Sequence, residues 1–443
     1  MDTNTPQPII TETARPVAAA ERIKTIDIVR GVALLGILLM NIPGFGIDWS
    51  KEDSVIRGPH DTADFYTLKV ISVFFEGTMR GLFSMLFGAG VILFTMNKTE
   101  TLGGVTVAEL YYRRLLILVL FGVINAYVFL WPSDILYRYA LVGMVLYPFR
   151  KTAVKWLFFL GILCIAIGVF KGQLRYTETR EKRAAYHETV KAEEAGKKLT
   201  AEQQLAIATW LEIENGERPD PEESDRNIRK MHSGYTTIFS YLIPFNSNNQ
   251  AWRVYNNIWD WISMMFIGMA LFSLGFFSNK FSSSKYAIGL IIGYGIGIPL
   301  GWVMFSKGWL GSLNFGAYVD AYRFPHWHLY HFKRVFLCLG HASLIMLVFR
   351  SQIIPWLMKG LANVGQMAFT NYLMQSILCT LFFYGYGLGY YNHLKYHQLY
   401  FVVGAVWIFQ LIFSAIWLRY YRFGPFEWLW RSLTYWKKQP MMK

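Results

Sequence analysis

Three pairs of opposite charge stand inside apolar stretches of this chain: Asp27 with Arg30, Glu76 with Arg80, and Asp134 with Arg138. Spacings of three and four put both members of a pair on one helix face, where they can form an ion pair. Ionisable groups at membrane depth are costly, so they point into a helix bundle and mark a site or a buried pair. Asn41 falls near the Asp27/Arg30 face about three turns further on. A guanidinium is always charged and offers forked donors, so Arg30 can bind a phosphate, a carboxylate or a thioester oxygen. Asn371 and Gln375, in a cluster with Thr370 and Tyr372, share a face and can either hydrogen-bond Arg30 or join helices. Glu76/Arg80, Asp134/Arg138, Asn41 and Asn125 form a second polar layer towards the other face of the membrane. Two pairs beside helix breaks at one level suit an outward-facing cavity, or two structural ion pairs.

The histidines carry less. His326, His328 and His331 lie in HWHLYHFKR, a spacing too unspecific for a metal site even with Asp320 available, and we expect no metal. His341, within an apolar run, and His60, in a loop near Asp61 and Asp64, can each act as a base, and His341 can equally be a hydrogen-bonded structural residue. Cys164, Cys338 and Cys379 all fall in apolar runs without CxxC spacing, which suits packing rather than disulfides or zinc. There is no Walker loop, no GxGxxG after a strand, no GxSxG and no HExxH, which excludes the ATPase, dehydrogenase, hydrolase and zincin readings that those motifs carry.

The elements that must hold these residues are helices. The chain is 54% hydrophobic and 17% aromatic with 16% charged residues, where a soluble protein carries about a quarter. This predicts an all-α polytopic transmembrane bundle of about ten spans, at 26–46, 66–96, 110–130, 134–149, 153–171, 254–277, 286–306, 332–349, 365–388 and 398–418. The second is too long for one straight span and should break near Gly77 and Gly81. The net charge of +14 sits mostly in short flanks, where it sets topology and does not imply nucleic acid. Nineteen Lys and Arg flank one side against seven on the other, which predicts both termini in the cytoplasm. The expected organisation is a polar cytoplasmic segment 1–25 without a cleavable signal, N-terminal helices over 26–173, a charged extracytoplasmic helical insertion over 174–250, C-terminal helices over 251–420, and an interfacial tail over 421–443.

Four blocks in order, FSMLFGAG (83–90), YYRRLLILVLFGVINAYVFLWPSDIL (111–136), NVGQMAFTNYLMQS (363–376) and GPFEWLWRSLTYWKKQP (424–440), resemble the YeiB-like bacterial membrane proteins, whose C-terminal part is domain of unknown function 418. The DxxRG opening is similar to a wider group of transmembrane acyltransferases that acylate glycans. The resemblance implies a bacterial cytoplasmic (inner) membrane location, the bilayer as partner, acyl-CoA as a co-substrate, and an envelope glycan or lipid-linked acceptor. On it, Asp134, Glu76, Arg80, Asn125 and His341 are candidate catalytic residues, and Asp27, Arg30, Asn41, Arg138, Asn371, Tyr372 and Gln375 candidate substrate-binding residues. Relatives commonly carry histidine where this chain has Asn125; if that histidine is a base, its loss either disables the chemistry or hands the role to another residue, and a buried carboxylate can take it. A transporter or flippase of a small anionic or lipid-linked substrate is the alternative, since a broken helix with a mid-membrane ion pair is its pointer. A non-catalytic scaffold is the third reading.

Overall fold

A computed structural model describes residues 23–96, 101–102 and 105–443; all but the last three residues of the expected segment 1–25 lie outside these. In chain order the elements are α1 (Lys24–Gly46), α2 (Trp49–Arg57), α3 (Ala63–Phe74), α4 (Thr78–Thr95), a short hairpin β1 (Thr101–Leu102) and β2 (Val105–Thr106), α5 (Val107–Tyr127), α6 (Leu136–Leu146), α7 (Val154–Glu194), α8 (Ala201–Gly216), α9 (Pro221–Met231), α10 (Tyr235–Gln250), α11 (Trp252–Ser273), α12 (Ser283–Leu313), α13 (Phe315–Ala321), α14 (Leu329–Ser351), α15 (Pro355–Gln366), α16 (Ala368–Phe383), α17 (Leu399–Tyr420) and α18 (Pro425–Thr434). Apart from the hairpin the fold is all-α. Among the described residues six helical segments are long and apolar enough to cross a membrane, and every apolar stretch expected to span falls on a helix or a helix pair. The protein is a multi-pass helical membrane protein.

Burial separates the helices into a core and a ring. The most apolar window of α1 is 61% buried, whereas those of α7 and α12 are each 22% buried. Ile291 and Ile296 on α12, Phe401 and Ile408 on α17, and Phe159 and Ile162 on α7 are exposed, which is how a lipid-facing helix differs from a central one. At the α4–α11 crossing, Gly88 lies against the carbonyl of Met265, and Gly268 against that of Met85. A methyl at either glycine would collide with backbone, so only glycine lets the two axes approach this closely.

The expected break in the second apolar stretch is present. α3 ends at Phe74, Gly77 takes a left-handed φ of 71°, and α4 starts at Thr78. Glycine meets that conformation without the strain a side chain would bring.

The insertion begins without a boundary at 173/174. α7 runs unbroken for 41 residues, about 60 Å at 1.5 Å per residue, roughly twice the hydrocarbon core. α8 folds back along it, and Tyr176 and Trp210 bury together with Tyr318 and Val319 of α13. Trp210 stacks on Phe315 at 6.1 Å, and Arg183 grips Asp320 at 2.9 and 3.2 Å. The insertion is helical, as expected, but it is docked rather than freely solvated. We call its side the insertion end and the opposite side, where α1 begins and α18 lies, the base end.

Candidate functional site

Near the base end, Asp27 and Arg30 form the expected pair at 3.0 Å on the first turns of α1. A cavity of about 190 Å³ opens beside them, ample for more than a single water by that measure. Arg30, Arg114 and Arg431 stand at one part of its lining and Leu136, Tyr139 and Tyr372 at another. Phe83, Leu86, Phe87, Leu115, Leu118 and Phe369 make its wall between them. Arg114 stacks over Trp430 at 4.1 Å and Arg431 over Phe423 at 4.4 Å, contacts that fix the orientation of a guanidinium. Glu427, also on the lining, is fully engaged. Its carboxylate accepts from Phe369 N (2.7 Å), Thr370 N (3.1 Å) and Thr370 Oγ1 (2.5 Å), so it caps the start of α16.

At the far wall, the Tyr372 hydroxyl accepts from Ile135 N at 3.1 Å and lies 3.5 Å from Asp134 Oδ1. Asn125 Nδ2 donates to the same Oδ1 at 2.8 Å, and Tyr137 N donates to Oδ2 at 2.9 Å. Asp134 precedes α6 and caps it, so the helical spacing that would join it to Arg138 does not exist. Arg138 instead lies over the Trp261 ring at 4.8 Å.

Glu76 and Arg80 are likewise separated, because the turn at Gly77 lies between them. Glu76 pairs with Lys333 at 3.2 Å, and Lys333 Nζ also donates to Ser72 O at 2.5 Å. Arg80 reaches Asp260 at 3.2 Å and the Tyr330 hydroxyl at 2.8 Å. Asp260 is held as well by Arg334 at 2.7 Å, with His331 at 3.3 Å. This network ties α4, α11 and α14 together. Sequence reasoning missed it, although Asp260 is the lone acid in its apolar run and Lys333/Arg334 begin another. Both cations stand at the start of the expected span 332–349, and the structure buries them inside α14.

The amides near the base end join helices. Asn371 Nδ2 donates to Ser414 Oγ (2.9 Å), Gln375 Nε2 to Gln410 Oε1 (3.1 Å), and Gln410 Nε2 to Asn371 O (2.7 Å). Gln375 reaches α1 at the Leu34 carbonyl, and neither amide bonds Arg30. Asn41 is half-buried near the far end of α1, away from the cavity. His341 sits between the Tyr294 hydroxyl (2.7 Å to Nδ1) and Phe74 O (3.1 Å to Nε2), a structural bridge that shares no partner with Asp134. The three histidines of HWHLYHFKR disperse: His326 to Tyr318, His328 to Gln173 and His331 to Asp260. Among the described residues no group of His, Cys, Asp or Glu is arranged to hold a metal.

Fold and site together define a multi-pass helical membrane protein with an arginine-rimmed apolar cavity and a separate buried ion network. Residues 271–437 match the family described as protein of unknown function DUF418. The chain is 30% identical to "Uncharacterized protein YxaH" of Bacillus subtilis, over 97% of this chain and 98% of that one. It is 29% identical to "Uncharacterized protein YeiB" of Escherichia coli, over 94% and 96%. The chain belongs to this YeiB/YxaH family. No solved structure matches it.

Proposed function

We propose that the protein is an acyltransferase-like membrane enzyme that takes an acyl group from acyl-CoA in the cytosol and passes it to an extracytoplasmic glycan or small acceptor. The observation that carries this reading is one cavity joining a rim of three arginines to Tyr372, whose hydroxyl neighbours Asp134. Guanidinium forks suit the phosphates of a nucleotide thioester, and apolar walls suit the arm and acyl chain. In this scheme the acceptor oxygen or nitrogen attacks the thioester carbonyl and its proton passes to Asp134. The carbon–sulfur bond breaks, and the CoA thiolate takes a proton from solvent. Asn125 orients the carboxylate, and Asp134 serves in place of a histidine at position 125. The base end then faces the cytoplasm, in keeping with the excess of Lys and Arg in its flanks.

Two experiments test this. A cysteine at Lys198 should react with an impermeant maleimide in intact cells and one at Ser284 should not; the reverse pattern inverts the orientation. Acetyl-CoA and a long-chain acyl-CoA should bind the purified protein, and Arg30→Lys or Arg114→Gln should weaken that binding at least about tenfold, one charge-assisted contact, with the melting temperature kept. Absence of binding at millimolar thioester overturns the reading. Transport is then favoured, with its own supporting observation: a helix broken at Gly77 beside the Glu76–Lys333 and Arg80–Asp260 pairs. Substrate flux without chemical modification would select it.

A further inference from the structure

A second cavity, of about 440 Å³, lies beneath the insertion at the end of the bundle opposite the arginine rim. α7 supplies Lys171 and Arg175, one turn apart, and α11 supplies Asn256 and Asp260; His331 enters from α14. Arg175 donates to Asn256 Oδ1 at 3.2 Å, and Lys171 lies 6.0 Å from the Trp259 ring. Among the described residues neither cation has a carboxylate within ion-pair distance. Asp260 brings no net negative charge, because Arg80 and Arg334 both hold its carboxylate. Among the described residues Glu217 is the only other carboxylate on the lining, so the described cations on and immediately behind this wall outnumber the carboxylates by two. Such an excess in a recess over the low-dielectric bundle concentrates anions more strongly than the same charges on an open surface.

We propose that this cavity binds an anionic ligand through a phosphate or carboxylate group, with Lys171 and Arg175 as the charged donors and Asn256 as a neutral one. Asp260 stays with its arginines and fixes the floor. The inference does not rest on acyl transfer: an acceptor, a transported anion and a lipid headgroup all present this chemistry. Its failure therefore leaves the thioester-binding experiment untouched, and the converse holds too.

The test uses the full-length protein in two settings. In detergent, thermal unfolding is followed with inorganic phosphate and with glucose 1-phosphate. In zwitterionic nanodiscs, retention of added phosphatidylglycerol is read by native mass spectrometry. We expect one class of probe to bind the wild type, and Lys171→Gln/Arg175→Gln to weaken that binding at least about tenfold, since each lost contact is charge-assisted. Soluble phosphate lost in the variant identifies a soluble ligand; phosphatidylglycerol alone lost identifies a headgroup. Arg175→Gln by itself, at an exposed position, gives a smaller loss of the same sign and serves if the double variant unfolds. No binding by any probe at ten millimolar, or unchanged affinity in the variants, overturns the proposal.

Discussion

The two ends of the bundle accommodate buried charge differently. At the base end the charges are dealt with locally: Asp27 and Arg30 pair within one helix, and Arg114 lies on an aromatic face. Such contacts hold cations in place without closing the space around them, and a cavity survives. Towards the insertion end, charges are matched between helices that are remote in sequence. Asp260 of α11 binds Arg80 of α4 and Arg334 of α14, and Lys333 crosses to Glu76. Interhelical matching consumes the partners and fixes the helices instead. The first arrangement suits ligand binding, the second suits rigidity.

Removing one partner should therefore cost very different amounts at the two ends. Asp260→Asn leaves Arg80 and Arg334 facing each other uncompensated, and we expect a loss of about 3–5 kcal/mol of stability, the usual penalty for breaking a buried pair. Asp27→Asn removes a single partner within one helix and leaves Arg30, 27% exposed beside a cavity, within reach of water, so we expect a smaller loss, about 1 kcal/mol. Thermal unfolding in detergent measures both. Equal losses would erase the distinction between the ends.

Next in size is Gly268→Ala. Its methyl would meet the Met85 backbone, prising α4 from α11 at the crossing that supports Arg80–Asp260. We expect about 1–3 kcal/mol, the range for overpacking. A neutral result would mean that the crossing is slack and the ion network alone sets the spacing.

A double-mutant cycle sharpens the comparison further. Glu76→Gln and Lys333→Met should be non-additive by about 1 kcal/mol, because the residues share a contact, whereas Glu76→Gln with Arg80→Gln should add within about 0.5 kcal/mol. Coupling between Glu76 and Arg80 would restore the pairing that spacing suggests.

That cycle also marks where sequence reading works and where it stops. The pair at 27 and 30 was legible because α1 is continuous, and helical spacing is meaningful only within one helix. The break in the second apolar stretch was legible too, from its length and from Gly77. Its consequence for the neighbouring charges was not drawn: once Gly77 turns the chain, positions 76 and 80 no longer share a face. Asp134 failed the same way, since it caps α6 from outside. The partners actually chosen, Lys333 and Asp260, lie 257 and 180 residues away in the chain, and no local period reports contacts of that range. Glu427 looked like one acid in an aromatic tail, and only the fold of that tail onto α16 shows that it caps a helix. The cavity itself is a space between helices, which periodicity cannot describe.

The smallest effect concerns the insertion, where charge and apolar packing both act at a single contact. Asp320 accepts from Arg183 and from His187 at 3.1 Å, and the Arg183 hydrogen bond holds its carboxyl below the usual carboxylate range. A depressed folded-state pKa contributes stability that is complete above the unfolded value of about 3.9 and is lost as pH falls through the lower folded value. Asp320 is 40% exposed, so solvent screens the pair and the contribution should stay below about 1 kcal/mol. Spin labels on α8 and α13 should thus report docking that is unchanged from pH 7 to 5 and loosens only below about pH 4. Arg183→Gln should shrink that pH-dependent loosening, because the folded value of Asp320 then lies nearer the unfolded one. If the distance is the same at every pH and in the variant, the stacking of Trp210 on Phe315 holds the insertion without help from charge, and the insertion end docks its roof by apolar contact while it fixes its floor by ion pairs.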